Sequence, residues 1–275
     1  MPDLEQGVAA HYRHGGLEAA LLAALAAAGK NPERLAPHDL MGADEFHIGG
    51  TQATQDLAAQ LGLHANMHLL DIGSGLGGPA RHLSATHGCR VTGIDLSEEY
   101  VAVATSLTRR MGLAEHVTFH LASANRLDFP PASFDGATVL HVGMNVPDKT
   151  ALFAAVHAAL RPGGFLAVYD VMRTGEEDLD FPLPWSSTPE TSFVETPEAY
   201  RAALTSAGFT IVTERNRREF AMEFFAAMRA RMAQSGPPPI GLGLVMGPTA
   251  QRKTGNMSAM IGRGTIAPVE IIARR

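Results

Sequence analysis

A chain of 275 residues with a formal net charge of −6, 45% hydrophobic and 18% charged residues has an ordinary globular composition, which excludes a disordered chain and leaves room for one large domain or two small ones. Lys and Arg are scattered except for the run Arg215–Arg218, so no basic groove for nucleic acid is expected. The single cysteine, Cys89, excludes an intrachain disulfide and a CxxC-type zinc site, and a reducing, cytoplasmic setting is expected.

The first apolar run, residues 17–29, is shorter than the roughly 20 residues a membrane span needs. Asp3 and Glu5 precede it, where a secretory signal would be basic. It reads as an amphipathic helix, and no membrane partner is expected. A second helical stretch follows residues 31–50, so 1–66 form a helical N-terminal segment. From residue 67 short apolar runs alternate with longer helical patterns. Strands are expected at 67–73, 89–96, 117–123, 134–140, 164–171, 208–215 and 268–274, with helical segments between the first five, such as 79–88 and 97–112. Such alternation predicts an α/β fold with a doubly wound, mostly parallel seven-stranded sheet spanning 67–275. Roughly fifty residues separate the last two strands, more than a crossover needs. They hold a helix at 219–234, a Pro/Gly loop at 235–248 and a helix near 249–262, read as a cap insertion over 216–266 before an antiparallel last strand. Both extra segments are placed to close over the carboxyl ends of the strands, where open α/β sheets bind ligands. No internal repeat is found.

The stretch LLDIGSGLGG, residues 69–78, contains Gly73-x-Gly75-x-x-Gly78 between a strand and a helix, a nucleotide-binding turn. Nicotinamide cofactors and S-adenosylmethionine both use such turns, and Asp95, which ends the second strand, suits the ribose hydroxyls of either. Asp71 separates them. A carboxylate there repels a pyrophosphate and attracts the ammonium of an amino acid. The bland alternatives are a salt-bridged or capping Asp71 and an Asp95 that caps the following helix.

The series LLDIGSGLGG, GIDLSEE, FDGATVLHVGMNVPDK and ALRPGGFLAVYD, in order over residues 69–170, resembles the motifs of class I S-adenosylmethionine-dependent methyltransferases. The flanks HYRHGGLEAALLAAL, DEFHIGGTQAT and NMSAMIGRGTIAPVEIIARR resemble the small-molecule branch that includes sarcosine/dimethylglycine and phosphoethanolamine N-methyltransferases. The resemblance implies a Rossmann-like sheet and methyl transfer from S-adenosylmethionine, leaving S-adenosylhomocysteine, to N, O or C of a small metabolite by a monomer or homodimer. It places Gly73, Gly75 and Gly77 along the methionine part of the cofactor, Asp71 at its ammonium, Asp95 with Leu96 at the ribose and adenine edge, and Leu140 beside it. Tyr12 and the turn Phe46-His47-Ile48-Gly49-Gly50 would fold over the cofactor, making 1–66 a lid. The family often has an acid after the third strand to accept the adenine amino group; here Ser123 stands there, and Ser123 and Ala124 are expected as adenine neighbours. The alternatives are a nicotinamide-dependent oxidoreductase and a non-catalytic S-adenosylmethionine- or S-adenosylhomocysteine-binding protein.

At the reacting end, His141 ends the fourth strand and is the candidate base, with Asn145 four residues on. Similar N-methyltransferases carry an acid and then a histidine, so this neutral pair suits a neutral or anionic acceptor. Tyr169, Asp170, Arg173 and Trp185 are candidate substrate neighbours. The Met/Phe-rich stretch 219–262 is core or an apolar cap that favours a bulky acceptor. His11, His14, His38 and His64 are expected to be solvated, and no metal site is expected.

Overall fold

Side-chain alternation sends Leu70 and Ile72 to one face of β1 (His68–Ile72) and Leu69 to the other, where each joins a separate apolar core. The computed structural model describes residues 2–13 and 15–275. The remaining strands are β2 (Arg90–Asp95), β3 (Val117–Leu121), β4 (Phe134–Leu140), β5 (Leu160–Arg173), β6 (Thr210–Asn216) and β7 (Ile266–Arg274). They form one sheet in the order β3-β2-β1-β4-β5-β7-β6, parallel from β3 to β5, with β7 antiparallel to both neighbours. This is the mixed seven-stranded sheet the alternation predicts. The order reverses between β1 and β4, the place where an open sheet leaves a crevice at its carboxyl edge.

Helices α1 (Pro2–His11), α2 (Leu17–Ala27) and α3 (Gly50–Ala58) precede the sheet, and α4 (Gly78–His87), α5 (Glu98–Arg110), α6 (Lys149–Ala159) and α7 (Pro197–Ser206) pack beside it. Ser97, Asp148 and Thr196 cap α5, α6 and α7 with their side-chain oxygens. The insertion before β7 holds α8 (Arg218–Ser235), the short α9 (Leu242–Met246) and α10 (Ala250–Arg263). The basic run 215–218 is spent internally. Arg215 and Arg217 pair with Glu270, buried in β7, Arg217 also holds Asp56, and Arg218 donates to the Ile261 and Gly262 carbonyls at the end of α10.

The structure departs from the sequence reading in four places. Three α-helices precede β1 instead of two, because Gly15 and Gly16 take positive φ (66° and 95°) and split α1 from α2. No helix joins β3 to β4; residues 122–133 are irregular, with Pro130 and Pro131 denying backbone donors. β5 starts at Leu160, because the register with β4 jumps from Phe134↔Leu160 to Gly136↔Phe165 and absorbs the Pro-Gly-Gly turn as a bulge. The loop 235–248 contains α9.

One buried ion pair ties the N-terminal segment to the sheet. Arg81 of α4, 1% exposed, donates to Asp44 at 2.7 Å and to Thr108 at 3.1 Å. Replacing Arg81 by Met leaves the Asp44 carboxylate buried without a counter-ion, and a loss of about 3–5 kcal/mol is expected. Urea unfolding should show a lower midpoint at constant slope, and adding Asp44→Asn to that variant should recover part of the loss.

Candidate active site

The turn after β1 is built by backbone geometry. Gly73 has φ 65°, and a Cβ on it would meet Val142 Cγ2 at 2.4 Å. Gly77 has φ 81°, precedes α4 as its cap, and has no room for a Cβ beside the Phe119 ring. The resulting crevice lies over the ends of β1, β2 and β4 and is lined on its other side by Val8 and Ala9 of α1 and by Tyr12 just after it.

Three carboxylates line it. Asp71 is 2% exposed; its Oδ1 accepts from Thr138 at 2.6 Å, while Oδ2 has no partner. Burial, with a smaller contribution from the Asp95 charge, pushes its carboxyl up to about 7. Asp95 accepts from the Gly75 N–H at 2.9 Å and the Ser97 N–H at 2.8 Å, and burial raises it too. Asp44 spends one oxygen on Arg81 and leaves the other unpartnered. Ser74 Oγ and Tyr100 Oη on the same wall are also buried without partners. The crevice thus presents unmet acceptors and hydroxyls in one place, the arrangement that a polar, partly cationic ligand completes.

A second, apolar cavity adjoins the first, and Tyr12, Phe46, His47 and His141 line both. His141 is held in the left-handed region at φ 56°, unusual for a residue with a Cβ. Its Nδ1 lies 2.8 Å from the Tyr169 carbonyl and its Nε2 accepts from the Ile48 N–H at 3.3 Å. A carbonyl only accepts and an amide N–H only donates, so the ring proton sits on Nδ1. Tyr169 in turn donates its hydroxyl to the Ile48 carbonyl at 3.0 Å. Burial lowers His141 to about 4, so it is neutral at pH 7. His47 is lowered to about 3, first by burial and then by His141, and its Nε2 is 3.1 Å from Thr54 Oγ1. Asn145 is fully engaged: Oδ1 accepts from Tyr12 at 2.9 Å, and Nδ2 donates to the Trp185 and Thr191 carbonyls.

Of the residues singled out from sequence, Tyr12, Phe46, His47, Asp71, Gly73, Gly75, Asp95, Leu96, Ala124, Leu140, His141 and Asn145 line the first cavity. Ile48 lines the second, with Trp185, Phe224, Phe225, Met228 and Met257. Gly49, Gly50, Gly77 and Ser123 line neither. The Ser123 hydroxyl donates to Glu5 on α1 at 2.6 Å, while its neighbours Ala122 and Ala124 face the crevice. Tyr169 and Asp170 work inside the fold, Asp170 accepting from the Val142 and Gly143 N–H groups and Tyr200, and Arg173 donates to the Glu177 carbonyl. His11 bonds the Pro184 carbonyl, unlike the solvated residue expected, and His14 lies outside the described residues. Sequence reasoning missed Asp44, Ser74, Tyr100 and Met144. Tyr100 was within reach, since α5, capped by Ser97, opens just beyond Asp95; Asp44 opens the DEFHIGGTQAT stretch, of which only the residues from Phe46 onward were expected at the cofactor.

Residues 70–168 match the family model described as a methyltransferase domain. Sterol 24-C-methyltransferase of Eremothecium gossypii is 28% identical over 180 residues, 63% of this chain and 48% of that protein. Among solved structures, a putative sarcosine dimethylglycine methyltransferase from Galdieria sulphuraria aligns with TM-score 0.66 and 19% identity, covering 82% of this chain and 85% of that one. Phosphoethanolamine N-methyltransferase 2 of Haemonchus contortus, in complex with S-adenosyl-L-methionine, aligns with TM-score 0.71 and 21% identity, covering 86% of this chain and 54% of that one. The chain spans about half the length or less of the curated relatives it matches first. Residues 70–168 thus match a methyltransferase domain, and the strand order with its antiparallel β7 is the Rossmann-like fold of these methyltransferase structures.

The His141 clamp has a measurable weight. His141→Ala removes two hydrogen bonds and is expected to cost about 2 kcal/mol in urea unfolding. His141→Asn should lose less, because Asn tolerates the left-handed backbone and its amide can still donate to the Tyr169 carbonyl.

Proposed function

We propose that this chain transfers a methyl group from S-adenosylmethionine to a small-molecule acceptor. The observation that carries the reading is the unpartnered Asp71 oxygen beside the glycine turn, 2% exposed and without a cation among the described residues of the crevice. A pyrophosphate would be repelled there and by Asp44, whereas an amino-acid ammonium supplies the missing donor. In this reading Asp71 takes the ammonium, Asp95 and Leu96 the ribose and adenine edge, and Ala122 and Ala124 pack on the base. Gly73 and Gly75 let the backbone approach the methionine part, and Gly77 and Ser123 act at one remove. When bound, the cofactor supplies an electrophilic methyl on a sulfonium sulfur.

The chain's own work is then alignment and exclusion of water. Residues 1–66 act as a lid: Tyr12 closes over the crevice and is latched to Asn145, and Glu5 is latched to Ser123. The insertion 216–266 caps the acceptor side. His141 and Asn145 hold the reacting end in shape. Neither is a free base in this arrangement, since both ring nitrogens of His141 and the whole Asn145 amide already have partners.

Binding of S-adenosylhomocysteine, followed by calorimetry against pH, tests the cofactor reading. Free Asp71 titrates near 7, and an ammonium beside it lowers that value in the complex. Affinity should therefore rise as pH increases towards 7 and level off above, with a limiting slope of about tenfold per pH unit below. Asp71→Asn should bind more weakly and show no such slope, and NAD should not bind. Transfer of labelled methyl groups to a metabolite panel then separates an enzyme from a non-catalytic binder.

A further inference from the structure

We infer that the acceptor is an uncharged, largely hydrocarbon molecule, held in the second cavity by shape and dispersion without an ion pair. This inference rests on the methyltransferase reading of the first cavity. The charges of the two cavities are sharply divided. Asp44, Asp71 and Asp95 all line the first, whereas among the described residues no carboxylate, ammonium or guanidinium lines the second.

The polar groups that do reach the second wall are already committed to the protein. Thr254 donates to the Ala250 carbonyl at 2.8 Å, and Trp185 Nε1 to Ser192 at 3.0 Å. Tyr12 donates to Asn145, His141 has both ring nitrogens bonded, and His47 Nε2 sits on Thr54. A charged amine or phosphate entering this space would lose its hydration and gain no counter-ion, a cost of several kcal/mol. A hydrocarbon surface loses nothing comparable and gains burial against methionine and aromatic side chains.

Trp185 is the single tryptophan of the chain and is 2% exposed on this wall, so its fluorescence reports occupancy without turnover. With S-adenosylhomocysteine present, farnesol and decanol should shift or quench Trp185 emission in a saturable manner, and sarcosine and phosphoethanolamine should not. Met228 is half-buried at the rim, which lets a charged side chain be placed there without opening the core. Met228→Glu should weaken farnesol binding at least tenfold and leave S-adenosylhomocysteine affinity within twofold, and Met228→Leu should bind farnesol like the natural chain. A response to the charged probes, no response to either neutral probe, or indifference to Met228→Glu would each overturn the inference. Failure of S-adenosylhomocysteine to bind in calorimetry is the separate outcome that overturns the cofactor reading beneath it.

Discussion

The partition between the two cavities hangs on one imidazole. His141 joins three pieces of chain that have no covalent reason to meet: the end of β4, the Tyr169 carbonyl on β5 and the Ile48 N–H of the turn before α3. Its left-handed backbone is tolerated because both ring nitrogens are used and Tyr169 grips the same turn from the other side. Phe46 and His47 stand on that turn, so the shared wall exists only while the clamp holds. A residue that looks like a base from its position at a strand end is thereby occupied as a fastener, and its low proton affinity follows from the burial that fastening requires.

The first cavity carries the opposite imbalance. Three carboxylates face it, Asp44 and Asp71 buried and Asp95 half-buried, and Arg81 is the cation that burial places against Asp44. Folding leaves Asp71 raised towards neutrality and holding an unmet oxygen, a local cost that a bound cation relieves. Stability is given up at the place where a ligand restores it, which is the usual trade at a functional site.

Much of this was legible in the chain. The two-residue alternation of β1 and the four glycines of its turn marked the crevice, and Asp71 and Asp95 follow from where strands end. What escaped was set by tertiary contact. Gly15 and Gly16 hide a separate α1, since a pair of glycines reads as a loop until their φ values are known. Asp44 sits in a segment without periodicity, and its place against Arg81 comes from how α4 packs, which no local pattern encodes. Ser123 was expected at the adenine from the family resemblance, yet its hydroxyl turns to Glu5 because α1 folds back across the ends of the strands.

The N-terminal segment and the insertion before β7 are far apart in sequence but are built against each other. A Cβ on Gly42 would meet the Ile240 carbonyl oxygen at 2.4 Å, and one on Gly49 would meet the Phe220 ring at the same distance. Neither glycine has room for a side chain, so the N-terminal segment packs directly on the insertion, against backbone at Ile240 and against a ring at Phe220. Leu242 and Met246 of α9 line the second cavity a few residues beyond the Gly42 contact. The walls of the two cavities thus share one seam, lined by Gly42 and Gly49 on the N-terminal side and by Phe220 and Ile240 on the other.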